Sequence, residues 1–148
     1  MSDPAGTDRG SQQKRILFLC TGNSCRSQMA EGWARALRAG EFTACSAGLE
    51  RHGVNPLAVQ VMAEAGVDIS GQQSNLISEI SLPVELLVTV CDQAHEQCPI
   101  LPGAGRVIHH GFSDPPRLAA GAKTEAEALA HYRLVRDQIR DFIASLQV

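Results

Sequence analysis

Two hydrophobic patterns alternate along the chain. Short unbroken apolar runs, the mark of strands covered on both faces, are separated by stretches whose apolar residues recur every three or four positions, the mark of helices. RILFLC (residues 15–20) predicts a buried strand, and the stretch from Ser27 through MAEGWARALRAG predicts a helix that Gly40 stops. FTACSAG (42–48) reads as a second short strand. Asn55 as cap, Pro56 at the first helical position and Gly66 at the end frame a helix over LAVQVMAEAG. Beyond it, Ser74 is expected to cap a short helix over NLISEI, ELLVTVC (85–91) to form a third strand and RVIHHG (106–111) a fourth. Between Thr124 and Leu146, EAEALAHYRLVRDQIRDFIASL has the spacing of a long amphipathic helix.

Strands alternating with helices predict an α/β fold: a small four-stranded parallel sheet flanked by helices, with right-handed crossovers. Residues 15–148 are expected to form this single domain, and the polar, Gly- and Pro-bearing residues 1–14 a disordered tail. In open sheets of this kind ligands bind beyond the carboxyl ends of the strands. Cys20, Cys91 and the loop after His110 all fall there.

Composition narrows the class. With 148 residues, 44% of them hydrophobic, the chain can build one sizeable core. Its apolar runs fall far short of the ~20 residues that cross a bilayer, and the N-terminus lacks the charged-then-apolar order of a signal peptide. A soluble, cytoplasmic protein is expected, with no membrane partner. A net charge of -3, with one tryptophan, one tyrosine and four phenylalanines, leaves neither a basic track nor stacking platforms for nucleic acid. Five cysteines, Cys20, Cys25, Cys45, Cys91 and Cys98, are an odd number without an export signal, which argues against a structural disulfide framework.

The most informative stretch is Cys20-Thr21-Gly22-Asn23-Ser24-Cys25-Arg26-Ser27, which joins a strand end to a helix start. Unpaired N–H groups and the helix dipole converge there and favour an anion. Gly22 and Asn23 tolerate the left-handed angles that let successive N–H groups face one point, and Arg26 adds a bidentate partner for a tetrahedral oxyanion. The same positive field would hold Cys20 as a thiolate nucleophile, with the Ser27 hydroxyl able to stabilise it. A buried strand-end cysteine is the plain alternative for Cys20 taken alone.

CTGNSCRS resembles the oxyanion loop of low-molecular-weight protein tyrosine phosphatases and of the arsenate reductases that share their fold, and CTGNSCRSQMAEGW is close to the reductase version. The resemblance runs from about Arg15 to the C-terminus and also rests on the Cys91 to Cys98 segment and on Asp114-Pro115. It implies the low-molecular-weight phosphatase fold, Cys20 as nucleophile and residues 21–26 as the substrate loop.

Arsenate and phosphate are both tetrahedral oxyanions, so the loop does not separate the two chemistries. VCDQAHEQCP does bear on the choice, because a reductase must also deliver two electrons. Cys91 and Cys98 stand seven positions apart. On a helix they would be separated by ~10 Å along the axis, beyond the roughly 4.4–6.8 Å between Cα atoms that a disulfide needs, so pairing them requires unwinding. Zinc is not supported: His95, His109 and His110 are available, but paired C-x2-C spacing is missing. Thioredoxin-coupled arsenate reductases carry three thiols at positions matching Cys20, Cys91 and Cys98. The resemblance therefore implies a relay through Cys20-Cys91 and Cys91-Cys98 disulfides, with thioredoxin as reductant and arsenate as substrate, phosphate or sulfate acting as mimics.

Asp114, where the family places its general acid, is the candidate to protonate the leaving oxygen. Phosphatases of this type have aromatic residues soon after that aspartate, and DPPRLAAG has none, which favours a small inorganic substrate over phosphotyrosine. A low-molecular-weight phosphatase remains the alternative. Cys25 is expected to pack the loop and Cys45 to lie in the core. His52, His131 and Trp33 read as packing or surface residues. No tightly bound cofactor is expected. Some reductases of the family hold a potassium ion at positions matching Asn23, Glu31 and Ser46, but Asn75 stands where those members carry an acidic residue. A monomer is expected.

Overall fold

Ile16, Leu17, Phe18 and Leu19 are all fully buried, so the strand that carries them must lie inside a sheet covered on both faces. In the computed structural model, which describes residues 14–97 and 102–148, it is β1 (Lys14–Cys20). It lies between β2 (Phe42–Gly48) and β3 (Val84–Thr89), with β4 (Ala104–His109) beyond β3. All three pairings are parallel, in the order β2-β1-β3-β4, as the alternating pattern predicts. Lys14, placed in the tail by the sequence, opens β1; the rest of that stretch lies outside the described residues.

Five α-helices connect and cover the strands: α1 (Arg26–Arg38), α2 (Pro56–Glu64), α3 (Asp92–Gln97), α4 (Pro115–Ala119) and α5 (Glu125–Ser145). The Asn55 side chain caps α2 by accepting from the N–H groups of Leu57 (2.8 Å) and Ala58 (3.2 Å), and Gly66 leaves the helix at a φ of 85°. Thr124 caps α5, whose buried stripe of Leu129, Tyr132, Val135, Ile139 and Ile143 packs on α1, α2 and α4. Two polar bonds tie α1 to α5: the Trp33 indole donates to Arg136 O (3.1 Å), and Arg38 donates to Ile143 O (2.9 Å). None of the described helices is long and apolar enough to cross a membrane.

Two local expectations are corrected. Ser74 caps no helix; its hydroxyl donates to Asn23 O (2.6 Å), and a 3₁₀ turn, Ile77–Glu79, starts after Leu76 because the Glu79 carboxylate accepts the Leu76 N–H (2.6 Å). The third strand stops at Thr89 because the chain turns at Cys91, whose carbonyl accepts from His95 N (3.1 Å) as α3 begins. Asp114 ends the loop after β4 and immediately precedes α4, with Pro115 at the first helical position.

Register positions the site. Cys20 pairs with Gly48, Leu19 with Thr89, and Thr89 with His109, so the strands finish level. The chain order reverses between β1 and β3, and a crevice opens at such a point beyond the strand ends.

Candidate active site

The loop from Thr21 to Cys25 is turned inside out by its surroundings. Its carbonyls are each taken from outside: Thr21 O by Glu50 N (2.8 Å), Gly22 O by His52 N (2.9 Å) and Ser24 O by Asn55 N (3.0 Å). Asn23 O accepts from both Gln28 Nε2 (3.0 Å) and Ser74 Oγ (2.6 Å). With the carbonyls outward, the N–H groups face inward, and none of those from Thr21 to Arg26 has a protein acceptor among the described residues. Asn23 takes the left-handed angle this wrapping requires, with φ of 48°. The result is an anion nest at the start of α1.

Cys20 ends β1 beneath this nest, 3% exposed, with Sγ 2.8 Å from Ser27 Oγ. The direction of that bond follows from Asn23. Its Oδ1 accepts from Asn75 N (2.7 Å), which turns its Nδ2–H toward Ser27 Oγ (2.8 Å). Ser27 therefore accepts from Asn23 and has its own hydrogen left for Cys20, a charge-assisted bond when the sulfur is a thiolate. Asn23 and Ser27 are fully buried, so this path is shielded from solvent.

Arg26 opens α1 and donates from Nη1 to Phe112 O (3.0 Å), with Nη2 3.6 Å from Asp114 Oδ1. A cavity of about 290 Å³ is lined by Cys20, the loop, Arg26, Asp114 and Pro116, and also by His52. The His52 ring sits against Gly22, where any side chain would collide with it, and is held by Glu50 Oε1 (2.6 Å from Nε2). The sequence left His52 as a packing or surface residue; the register of Gly48 beside Cys20 is what brings it to the site.

Cys91 lies next to the nest, 3% exposed. Thr21 Oγ1 donates to Gln93 Oε1 (3.1 Å), so the Cys91 thiol donates to Thr21 Oγ1 (3.4 Å) while its sulfur accepts from Ala94 N (3.4 Å). Thr21, Arg26, Gln93 and Asp114 also line an adjoining cavity of about 430 Å³, where Cys91 lies with them. Two adjoining cavities thus bring together the loop, the Cys20 sulfur, a carboxyl group and a second thiol. Cys98 lies outside the described residues.

This arrangement has relatives. Residues 15–112 match the family described as low molecular weight phosphotyrosine protein phosphatase. The chain is 50% identical over 129 residues to an arsenate reductase of Bacillus subtilis (strain 168), covering 86% of this chain and 91% of that one. The chain belongs to the arsenate reductases of this family. It is also 45% identical over 136 residues to arsenate reductase 2 of Staphylococcus epidermidis, covering 91% and 97% of the two chains. Among solved structures, an arsenate reductase in the phosphate binding state superposes with a TM-score of 0.71 at 32% identity, over 88% of this chain and 94% of that one.

Against that family background, the remaining candidates sort by their surroundings. Burial pushes the Cys25 thiol well above its ordinary range, and the neighbouring Cys20 adds to the effect, so Cys25 stays protonated in the loop wall. Cys45, expected in the core, is half-buried and packs against it; burial raises its thiol as well. The candidate cation site does not fit a potassium ion. Glu31 Oε1 accepts from Ser46 Oγ (2.5 Å), its other oxygen pairs with Arg35, and Asn23 Oδ1 is committed to Asn75 N. Asn75 Nδ2 also donates to Ser46 O (3.3 Å), so hydrogen-bond donors meet the oxygens a cation would need, with Arg35 as the resident positive charge.

Proposed function

We propose that the protein reduces arsenate to arsenite by a three-thiol relay. The observation that carries this reading is the second thiol: Cys91 lies buried beside the nest, bonded to the residue that follows the nucleophile. Phosphate ester hydrolysis has no use for it. The wall after Asp114 is Pro116, Arg117 and Leu118, so the segment that follows the acid contributes no aromatic ring.

Arsenate is bound by the N–H groups of the loop and by Arg26, which neutralise its charge. The Cys20 thiolate attacks arsenic, a sulfur–arsenic bond forms, and Asp114 protonates the departing oxygen as water. The Cys91 thiolate then attacks the Cys20 sulfur; the electron pair of the sulfur–arsenic bond passes to arsenic, which leaves as arsenite. Two electrons are thus transferred and a Cys20-Cys91 disulfide remains. Cys98 attacks Cys91 and frees Cys20, and the Cys91-Cys98 disulfide is reduced by a dithiol protein of the thioredoxin class. An odd number of cysteines, five, suits a reducing, cytoplasmic setting.

The test is arsenate-dependent NADPH oxidation with thioredoxin and thioredoxin reductase, run beside a glutathione and glutaredoxin arm. Cys98→Ser should complete one turnover and stall as the Cys20-Cys91 disulfide, identified by mass spectrometry. Sustained wild-type turnover in that variant would refute the relay. Oxidation in the glutathione arm alone would replace the reductant, and hydrolysis of aryl phosphates with silence in both arms would make the protein a phosphatase.

A further inference from the structure

The relay requires Cys91 to leave its buried place, and Cys91 is followed immediately by α3. What holds α3 down is therefore part of the chemistry. Beyond the Thr21 to Gln93 bond at the cleft, α3 is fastened to the end of β4 by a cluster that no step above uses. His109 Nε2 lies 2.9 Å from Asp92 Oδ1, the His109 ring stacks on His95 with centroids 4.2 Å apart, and Thr89 Oγ1 lies 2.8 Å from His109 Nδ1 and 3.4 Å from His95 Nδ1.

The bond directions close consistently. The Asp92 carboxylate only accepts, so His109 donates from Nε2, and the single Thr89 hydroxyl hydrogen faces two acceptors, Nδ1 of a neutral His109 ring and Ile108 O (3.5 Å). Thr89 Oγ1 in turn accepts from His95 Nδ1. A protonated His109 keeps the cluster together by donating from Nδ1 to the Thr89 carbonyl (3.2 Å). Gly111 leaves room for the pair, since a Cβ there would lie 2.8 Å from Asp92 Oδ1. Among the described residues no group of three or more His, Cys, Asp or Glu is placed to hold a metal. The cluster is a fastening.

We propose that His109 is a positioning residue that clasps α3 through Asp92 and His95, and so sets how readily Cys91 is released for the relay. The proposal rests on Cys91 being the second thiol of the reaction proposed above. Asp92 is 85% exposed and His109 27%, so the pair is worth a modest amount, and losing it should free Cys91 by about two- to fivefold.

The experiment is pulsed iodoacetamide labelling of the fully reduced full-length protein, with Cys91 and Cys45 modification read separately by peptide mass spectrometry. His109→Ala and Asp92→Ala should each label Cys91 about two- to fivefold faster and leave Cys45, remote on β2, unchanged. The double variant should label no faster than the faster single, because both remove one link. His109→Gln, which restores a donor toward Asp92, should recover most of the protection. Unchanged Cys91 labelling, a parallel rise at Cys45 or multiplicative effects in the double variant would overturn the clasp. Should His109→Ala fail to fold, Asp92→Ala alone decides, since its side chain is on the surface. The relay is read independently, from arsenite released in a single turnover by Cys98→Ser. If that release survives the further change Cys91→Ser, the relay falls, while the labelling result still decides the clasp.

Discussion

Replacing Ser27 by alanine removes one oxygen and two hydrogen bonds. The first is the bond Ser27 gives to Cys20 Sγ at 2.8 Å; the second is the one it accepts from Asn23 Nδ2 at 2.8 Å. A hydrogen bond to a charged group contributes about 1.5–3 kcal/mol, so loss of the first should cut the supply of nucleophilic Cys20 near neutral pH roughly ten- to hundredfold. Loss of the second strands a buried amide N–H and costs about 1–3 kcal/mol of fold stability. The assay is the second-order rate of Cys20 alkylation by iodoacetamide, followed by mass spectrometry, with unfolding by urea measured in parallel. Ser27→Thr keeps a hydroxyl and should restore part of the alkylation rate, which separates the hydrogen bond from general damage. If Ser27→Ala alkylates Cys20 at the wild-type rate while remaining folded, the donor direction derived from Asn23 and Asn75 is wrong and Cys20 is activated by other means.

Two further predictions test the frame around the loop. In Gly48→Ala the new Cβ would lie 2.7 Å from Asn23 N and 2.8 Å from Thr21 O, backbone atoms that cannot rotate away. Overpacking of this kind costs about 1–3 kcal/mol, and phosphate affinity measured by calorimetry should fall about tenfold or more; wild-type affinity would show that the loop yields. Burial holds the Glu31 carboxyl above its ordinary range, with Ser46 and then Arg35 acting against the shift. A raised carboxyl favours the folded state below its unfolded value near ~4.3, and that contribution is lost as pH rises through the folded value. Glu31→Gln should flatten this fall in stability, measured by urea unfolding at a series of pH values, and an unaltered slope would remove burial as the dominant influence.

The sequence was most readable where one residue type has one local job. The unbroken apolar runs identified the strands, and Asn55-Pro56 with Gly66 framed α2 because caps act within a turn of their own residue. The placement of Cys20, Arg26 and Ser27 around one loop was legible because strand end, turn and helix start are contiguous in the chain. The misses share the opposite property. Ser74 reads as a cap, yet its hydroxyl serves Asn23, 51 positions away. His52 reaches the cleft only through the pairing of β1 with β2, and His109 meets Asp92 only because β3 and β4 finish level. Long-range register carried those contacts, and local pattern contains no record of it.

The outward anchoring of the four loop carbonyls also decides where selectivity can reside. A ring fixed at Thr21, Gly22, Asn23 and Ser24 from three separate parts of the chain arrives already shaped, so little ordering entropy is spent when an oxyanion enters. The same rigidity leaves it unable to adjust to small differences between one tetrahedral anion and another. Phosphate, isosteric and equally charged, must therefore compete for the ring almost on equal terms. Discrimination falls to the step after binding: arsenic bonded to sulfur can accept an electron pair when a second thiol strikes that sulfur, whereas phosphorus offers no comparably accessible lower oxidation state. On the proposed relay, phosphate is an occupant that returns unchanged, and the commitment to arsenate is kinetic, made by Cys91.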